Sequence, residues 1–197
     1  MITTILFDLG NVYIRGLIGT EKYLKKDLGF AIPYTHLFSI ELEDLFLGKI
    51  SEEAYWDALR KRRGWDISTE KLKSAARENF KEINGTREII EKLKENGYTL
   101  VILSNHTKEW VEYCERKYKY HKLFKNIFYS YKIGFTKPRK EIFTMVLQQL
   151  NVNPRKCLFI DDNKENVIAA SNLNIQTIQF TTAFALKKAL QKFGIRL

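Results

Sequence analysis

From about residue 85 onward, short runs of β-branched and aromatic residues alternate with longer stretches in which apolar positions recur at helical spacing. A similar short apolar run stands near the start of the chain. Such alternation is typical of βαβ units, which build a parallel sheet covered by helices. The pattern predicts strands at residues 3–7, 99–103, 126–129, 157–160 and 177–180. It predicts helices at residues 87–95, 108–118, 140–149 and 164–172.

The stretch from residue 15 to residue 84 has helical periodicity and no convincing strand. Within it, Gly48 ends one helical run, Ser51 can cap the next, and Gly64 ends that one. We therefore expect an α/β fold with a Rossmann-like parallel sheet core at residues 1–14 and 85–197. A helical domain at residues 15–84 is inserted after the first strand.

The composition excludes several classes of protein. The 197 residues are 45% hydrophobic and 28% charged, with 10 Gly and 3 Pro, which is typical of a folded globular protein. Cys114 and Cys157 have no partner at metal-ligand spacing, so they predict neither a zinc module nor a disulfide framework. The apolar start holds Asp8 and has no basic leader, and no run reaches the roughly 18 apolar residues of a membrane span. We expect a cytoplasmic protein.

The net charge of +10 is compatible with nucleic acid, an anionic membrane or anionic small substrates as partners. The basic residues are spread along the chain with acids between them and form no single stripe. Tyr113, Lys117 and Tyr118 belong to a stretch that interleaves bases with aromatics, as a stacking surface for single strands does. A helix end whose tyrosines pack and whose lysines face water gives the same pattern. We favour this second interpretation and expect a monomer without a nucleic-acid or membrane partner.

Polar residues follow the ends of four predicted strands. The carboxyl ends of parallel strands meet at one edge of a sheet, where open α/β folds bind their ligands. These side chains are therefore expected to lie together, although each alone is also typical of a turn or a helix cap. They are Asp8, Ser104, Asn105, Lys137, Asp161 and Asp162.

This set of residue types suits phosphoryl transfer. Asp8 can attack phosphorus and form an aspartyl-phosphate, which splits one difficult displacement into two steps. Asp161, with or without Asp162, can hold a divalent cation such as Mg²⁺, which prefers oxygen ligands. Ser104 can donate to phosphoryl oxygens, and Lys137 can offset the negative charge that develops on them.

Four segments resemble the motifs of the haloacid dehalogenase-like hydrolases. They are residues 5–12 (ILFDLGNV), 103–105 (LSN), 137–138 (KP) and 159–163 (FIDDN). The resemblance covers essentially the whole chain, and the helical insertion is similar to the cap that the family places after the first strand. The first and last motifs resemble the branch that holds bacterial glucose-1-phosphatase-like and other sugar-phosphate phosphatases.

The resemblance implies a function and a set of roles. The expected enzyme is a Mg²⁺-dependent phosphatase of a small phosphorylated metabolite, such as a sugar phosphate, with Asp8 as nucleophile. The metal ligands would be Asp8, the Gly10 carbonyl and Asp161, with Asp162 close by. Phosphate would be held by the residues at the second and third motifs. These are Ser104, Asn105 and Lys137.

Gly10 departs from the family pattern. Most phosphatases of the family carry a second Asp at this position as general acid, and such an acid is worth roughly 10²- to 10⁴-fold in rate. We therefore expect esters with good leaving groups, such as sugar 1-phosphates, to react faster than 6-phosphates. His106, close to the second motif, is a candidate for substrate contact. Helical periodicity does not rank the cap residues that reach the substrate, among them Arg15, Tyr23, His36, Phe46 and Trp56.

Two other functions remain open from the sequence. A dehalogenase of the same family also lacks the second Asp, but it requires no metal, and the carboxylates of Asp161 and Asp162 are costly beside Asp8 unless a cation neutralises them. A catalytically weak member that binds a phosphorylated ligand or partner is the other alternative, because Gly10 replaces the usual general acid. Neither the substrate nor a substitute acid can be identified from the sequence.

Overall fold

A five-stranded parallel sheet forms the centre of the protein. The computed structural model describes all residues, 1–197. The strand order is β3-β2-β1-β4-β5, and every neighbouring pair is parallel. The α/β fold class predicted from the sequence is confirmed, and each strand bound lies within one residue of its prediction. The strands are β1 (Thr4–Phe7), β2 (Thr99–Ser104), β3 (Asn126–Tyr129), β4 (Cys157–Asp161) and β5 (Gln176–Gln179).

The central position of β1 explains its uninterrupted apolar sequence. All four of its residues are buried, and Phe7 pairs with Ile102 of β2 on one side and with Ile160 of β4 on the other. Alternate side chains enter different apolar clusters. Ile5 and Phe7 belong to a cluster of 41 buried residues, and Leu6 belongs to a second cluster of 10. A strand covered on both faces has no polar alternation.

Between β1 and residue 85 the chain forms helices and no strand, as predicted. Ser51 caps the third of them by accepting the N–H of Ala54 at 3.2 Å, and Gly64 ends it with a φ of 65°. The first helix packs against the fourth, and the third packs against the second and the fourth. The helices are α1 (Glu21–Leu28), α2 (Glu41–Phe46), α3 (Glu52–Arg63) and α4 (Thr69–Asn79), with a 3-10 helix at Tyr34–Leu37.

The two connections to this helical segment run side by side. The N–H of Arg15 donates to the carbonyl of Lys81 at 2.9 Å, and the N–H of Ile83 donates to the carbonyl of Tyr13 at 2.8 Å. The two bonds form a short antiparallel pair at the predicted ends of the insertion. The division into separate domains stays a prediction, since the cluster of 41 buried residues includes side chains from both parts of the chain.

The remaining helices cover the sheet. The sequence predicted four of them and missed the short α7 and the last helix, α10, which Thr182 caps by accepting the N–H of Ala185 at 3.1 Å. Because α7 follows β3, Lys137 comes after a helix and not after a strand end, which corrects its predicted position. None of the helices combines the length and the apolar character needed to cross a membrane. They are α5 (Thr86–Glu95), α6 (Lys108–Tyr118), α7 (Ser130–Ile133), α8 (Lys140–Leu150), α9 (Lys164–Ser171) and α10 (Ala183–Lys192).

Candidate active site

The carboxyl edge of the sheet brings the predicted polar residues together. Asp8 follows β1, Ser104 ends β2 and Asp161 ends β4. These positions are neighbours because β1 pairs with both β2 and β4. Lys137 reaches the same edge from the loop after α7. Its ammonium lies 2.9 Å from Asp8 Oδ1 and 2.6 Å from Asp161 Oδ2.

Lys137 is a buried cation between two carboxylates. Only 4% of the residue is exposed, and its ammonium also lies 5.3 Å from the centre of the Phe159 ring. Burial lowers the pKa of Lys137, but the carboxylates of Asp161 and Asp8 outweigh burial and hold the pKa above its ordinary value. The ammonium therefore stays charged throughout the neutral range.

Asn105 fixes the backbone that carries this lysine. The N–H of Lys137 donates to Asn105 Oδ1 at 2.8 Å, and Asn105 Nδ2 donates to the carbonyl of Lys137 at 2.9 Å. The Lys137–Pro138 peptide bond is cis. Because both the oxygen and the nitrogen of the Asn105 side-chain amide bond to the backbone of Lys137, the observed role of Asn105 is to position Lys137. Its contact with phosphate stays a prediction.

Asp161 is fully buried and densely hydrogen-bonded. Its Oδ1 accepts the N–H of Asn163 at 2.8 Å, and the Asn166 amide donates to both carboxylate oxygens at 3.1 and 3.0 Å. The side chain of Asn163 caps α9 by accepting the N–H of Glu165 at 2.8 Å. The start of α9 is thereby tied to the end of β4, which leaves the Asp161 carboxylate a single orientation.

Three carboxylates share this site with one ammonium. One oxygen from each of Asp8, Asp161 and Asp162 lies within 4.8 Å of the others. Burial raises the pKa of all three carboxyls, and a neighbouring carboxylate raises each further, while Lys137 acts in the opposite direction. One positive charge leaves two negative charges unbalanced. An oxygen-rich site with excess negative charge fits Mg²⁺, which prefers carboxylate ligands.

Ser104 and Gly10 complete the edge of the site. The Ser104 hydroxyl is completely buried and forms no hydrogen bond of good geometry, but it lies near enough to the Asp8 carboxylate to lower its pKa. A contact between Ser104 and phosphate stays a prediction. Gly10 lines the pocket, and a β-carbon placed on it would meet no atom within 4 Å. Neither its φ nor its surroundings require glycine here.

Two further polar residues line the pocket. Asn11 has a φ of 54°, and its Oδ1 accepts the N–H of Gly16 at 3.0 Å, so the side chain orders the loop that follows β1. The Nδ1 of His106 accepts the N–H of Thr107 at 3.2 Å, which places the proton of the neutral ring on Nε2. Burial lowers the pKa of His106 to about 4, so the ring is neutral at physiological pH.

A pocket of about 190 Å³ lies between the sheet edge and the helical insertion. Of the cap residues that the sequence could not rank, Phe46 lines this pocket, whereas Trp56 is fully buried. The sequence pattern gives no signal for the other apolar lining residues, because those from the insertion lie outside its periodic helical segments. They are Leu17, Ile18, Phe38 and Trp110.

Curated relatives include phosphate-ester hydrolases. D-ribitol-5-phosphate phosphatase of Bacteroides thetaiotaomicron is 27% identical over 192 residues, which cover 91% of this chain and 92% of the relative. Flavin mononucleotide hydrolase 1 of Arabidopsis thaliana is 29% identical over 134 residues, or 68% of this chain. The alignment spans about half, 54%, of the length of the plant protein.

Solved structures share the fold. A HAD family enzyme from Bacteroides thetaiotaomicron, crystallised with magnesium and inorganic phosphate, has a TM-score of 0.73 and 22% identity, and the match covers 92% of this chain and 96% of that one. The sequence profile of haloacid dehalogenase-like hydrolases matches residues 34–180, well over half of the chain. As its motifs indicated, this chain belongs to the haloacid dehalogenase-like hydrolase family.

Proposed function

We propose that the protein is a Mg²⁺-dependent phosphatase that hydrolyses a small phosphorylated metabolite through an aspartyl-phosphate intermediate. The observation that carries the proposal is the buried arrangement of Asp8, Lys137 and Asp161, in which one ammonium contacts both carboxylates. The phosphatases among the relatives support the same class of reaction, and the sugar phosphates expected from the sequence are the first esters to test.

The proposed metal ligands are the carboxylates of Asp8 and Asp161 and the carbonyl of Gly10, with Asp162 as a direct or water-mediated fourth. The two unbalanced negative charges of the carboxylate group support a divalent cation in this place. When bound, Mg²⁺ supplies positive charge that reduces the repulsion between the Asp8 carboxylate and a phosphate dianion.

Asp8 is the proposed nucleophile. Its Oδ1 accepts hydrogen bonds from the Leu9 N–H at 2.8 Å and from Lys137, so Oδ2 is the oxygen that we assign to the attack. Oδ2 forms a bond to phosphorus while the bond from phosphorus to the ester oxygen breaks, and the alkoxide that leaves takes a proton from water. Water then cleaves the acyl phosphate to give inorganic phosphate and the free Asp8 carboxylate.

Ser104 and Lys137 are the proposed phosphate-binding residues. The hydroxyl of Ser104 supplies a hydrogen-bond donor, and the ammonium of Lys137 supplies a fixed positive charge. Both are buried, and a preformed donor in a buried site stabilises developing charge more strongly than it would in water. Asn105 acts through Lys137, whose backbone it holds.

Gly10 leaves the departing alcohol without a general acid from that position. A β-carbon at this position would meet no atom within 4 Å, so packing around the α-carbon does not account for the missing side chain. The proposed enzyme therefore favours esters whose leaving oxygen is weakly basic, such as anomeric and aryl phosphates.

The remaining expectations about partners stay proposals. Tyr118 donates its hydroxyl to the carbonyl of Phe80 at 2.7 Å, and the ammonium of Lys117 lies over the rings of Tyr113 and Tyr118. Tyrosines engaged in this way support a packed helix end over a stacking surface for nucleic acid. A monomeric state and a cytoplasmic location also belong to the proposal.

Phosphate release from a panel of esters, with Mg²⁺ or with a chelator, tests the proposed function. We expect release that requires Mg²⁺, that is lost in Asp8→Asn, and that persists in Asp66→Asn, the same change at an exposed position. Halide release from 2-haloacids that a chelator leaves unchanged would instead identify a dehalogenase. Mg²⁺ binding without turnover of any ester would favour a ligand-binding role.

A further inference from the structure

The pocket that Asp8 and Asp162 line also has five apolar side chains in its lining. The insertion contributes four apolar side chains to it, Leu17, Ile18, Phe38 and Phe46, and α6 contributes the indole of Trp110. We call these five residues the apolar wall. None carries a side-chain group that can bond to a substrate hydroxyl, since the indole N–H of Trp110 is donated to Glu52 at 2.6 Å.

Backbone carbonyls of this wall, and that of the adjoining Gly16, accept hydrogen bonds from the protein. The amide of Asn79 donates to the carbonyls of Gly16 and Ile18 at 2.6 and 2.9 Å. The hydroxyl of Ser130 donates to the carbonyl of Phe46 at 2.6 Å, and Arg63 donates to that of Phe38 at 3.3 Å. A substrate hydroxyl that donates to one of these carbonyls would therefore compete with a bond that is already formed.

Three of the polar lining residues bond directly to Lys137 or Asp161, namely Asn105, Asn163 and Asn166. The four asparagines of the lining each bond to the protein: Asn11 to Gly16, Asn105 to Lys137, Asn163 to Glu165 and Asn166 to Asp161. The donor that we assign to the substrate beside the apolar wall is the Nε2–H of neutral His106, whose ring packs edge-on against Trp110. The lining thus offers polar groups to the phosphate and apolar side chains to the alcohol.

We infer that the site selects phosphate monoesters of small apolar alcohols, with an aromatic ring or a short branched chain next to the phosphate. This inference rests on the proposed phosphatase function and narrows its substrates away from polyhydroxylated sugars. Sugar hydroxyls against the apolar wall would lose bonds to water and find no side-chain partner there, whereas an apolar group gains from leaving water. The volume of about 190 Å³ is small for a ligand site, and a cavity of about 150 Å³ holds a benzene ring.

Esters of primary alcohols test this inference with only a small difference in leaving group. Benzyl phosphate and 3-methylbutyl phosphate are compared with glucose 6-phosphate and erythritol 4-phosphate. We expect kcat/KM to be at least about tenfold higher for the apolar pair, the scale on which apolar pockets discriminate. Polyol oxygens are the better leaving groups, so this bias works against the expected result. Equal values, or faster reaction of the polyol esters, would overturn the inference.

A variant of the apolar wall and a matched control distinguish an effect on substrate selectivity from an effect on protein stability. Phe38 is 40% exposed, so Phe38→Ser removes part of the wall with little effect on the core. We expect kcat/KM for benzyl phosphate to fall about fivefold to tenfold, with that for glucose 6-phosphate unchanged or higher. Phe30→Ser makes the same change at a residue that is 54% exposed and lies outside the pocket, and it should alter neither value.

Binding of non-hydrolysable phosphonates distinguishes failure of this inference from failure of the proposed function. Calorimetry with Mg²⁺ present compares benzylphosphonate with a phosphonate that carries a polyol chain. At least about tenfold tighter binding of benzylphosphonate supports the apolar wall even if no ester is hydrolysed, in which case only the proposed reaction is wrong. Equal affinities would overturn the inference even if hydrolysis requires Mg²⁺ and Asp8.

Discussion

Trp110 of α6 donates its indole N–H at 2.6 Å to the carboxylate of Glu52, the first residue of α3. The same carboxylate accepts the indole N–H of Trp56 at 3.0 Å and pairs with both terminal nitrogens of Arg77 from α4. Glu52 is only 3% exposed. This buried network joins two helices of the insertion to α6, the helix that contributes Trp110 to the pocket.

Replacing Glu52 should destabilise the protein substantially. Glu52→Gln leaves Arg77 with no carboxylate within 4 Å and only the more distant Glu109 as a countercharge, and breaking a buried ion pair on one side costs about 3 kcal/mol or more. We expect a matching decrease in the free energy of unfolding from urea titration. The neighbouring Glu53→Gln, at a half-exposed pair with Lys73, is the control and should have little effect. Similar losses for both variants would show that the buried network stabilises the protein no more than a half-exposed ion pair does.

Magnesium should stabilise the folded protein. The carboxylates of Asp8, Asp161 and Asp162 are close together and carry more charge than Lys137 balances. At a concentration 100 times its Kd, a ligand of the native state adds about 2.7 kcal/mol, which is about 5 °C or more in Tm for a chain of this size.

Asp162→Asn should reduce this Mg²⁺-induced rise in Tm, and Asp66→Asn, at an exposed position, should leave it intact. Calcium chloride and sodium chloride at equal ionic strength separate a magnesium effect from general divalent and salt effects. A Tm that does not respond to Mg²⁺ in the wild-type protein would contradict the proposed metal site.

Gly10→Asp should improve the hydrolysis of esters with poor leaving groups. The new side chain enters open space at the rim of the pocket, where its carboxyl can protonate the departing alcohol. We expect kcat for alkyl phosphates to rise about tenfold or more, with little change for aryl phosphates. Gly10→Asn, which adds similar bulk without an acid, is the control. An equal gain in both variants would point to an effect other than proton donation.

The neutral, buried His106 should make stability depend on pH. Burial lowers its pKa from 6.5 to about 4, so between these values the unfolded chain binds a proton that the folded protein does not. The contribution of His106 to the free energy of unfolding therefore decreases as the pH falls from 6.5 to 4, by at most about 1.4 kcal/mol per pH unit. It is fully present above pH 6.5.

This contribution is measured as the difference in the free energy of unfolding between wild type and His106→Asn, from urea titrations between pH 7.5 and pH 4.5. The effects of other titrating groups are the same in both proteins and cancel in the difference. We expect the difference to shrink towards low pH. His36→Asn, in the 3-10 helix of the insertion, is the matched control. A difference that stays constant with pH would mean that His106 takes up a proton in the folded protein.

The sequence predicted the parts of the site that come from regular structure. Asp8, Ser104 and Asp161 follow from the rule that ligands bind at the carboxyl ends of parallel strands, and all three lie there. Lys137 reaches the site through a loop after α7, a helix too short to give a periodic pattern. Its position next to both carboxylates depends on the amide of Asn105, a contact between distant residues that a sequence pattern does not encode.

The apolar wall could not be predicted for a related reason. Ile18 and Phe38 are exposed apolar residues in irregular segments, where no periodicity separates a binding surface from a surface residue. The last helix is a different case, because Thr182 and the apolar spacing of Ala183, Leu186 and Leu190 were present in the sequence. Its cap and its apolar spacing are those of an ordinary amphipathic helix and are sufficient to predict it.

The paired connections at residues 13–15 and 81–83 have a consequence for how such a protein can diversify. Because the two ends of the helical insertion meet and bond to each other, another segment could be joined at the same points without moving β1 or α5. Asp8, Lys137 and Asp161 all lie outside the exchanged stretch, whereas four of the five wall residues lie within it. Under the proposed function, exchange of the insertion would change the substrate preference and leave the reacting residues of the core in place.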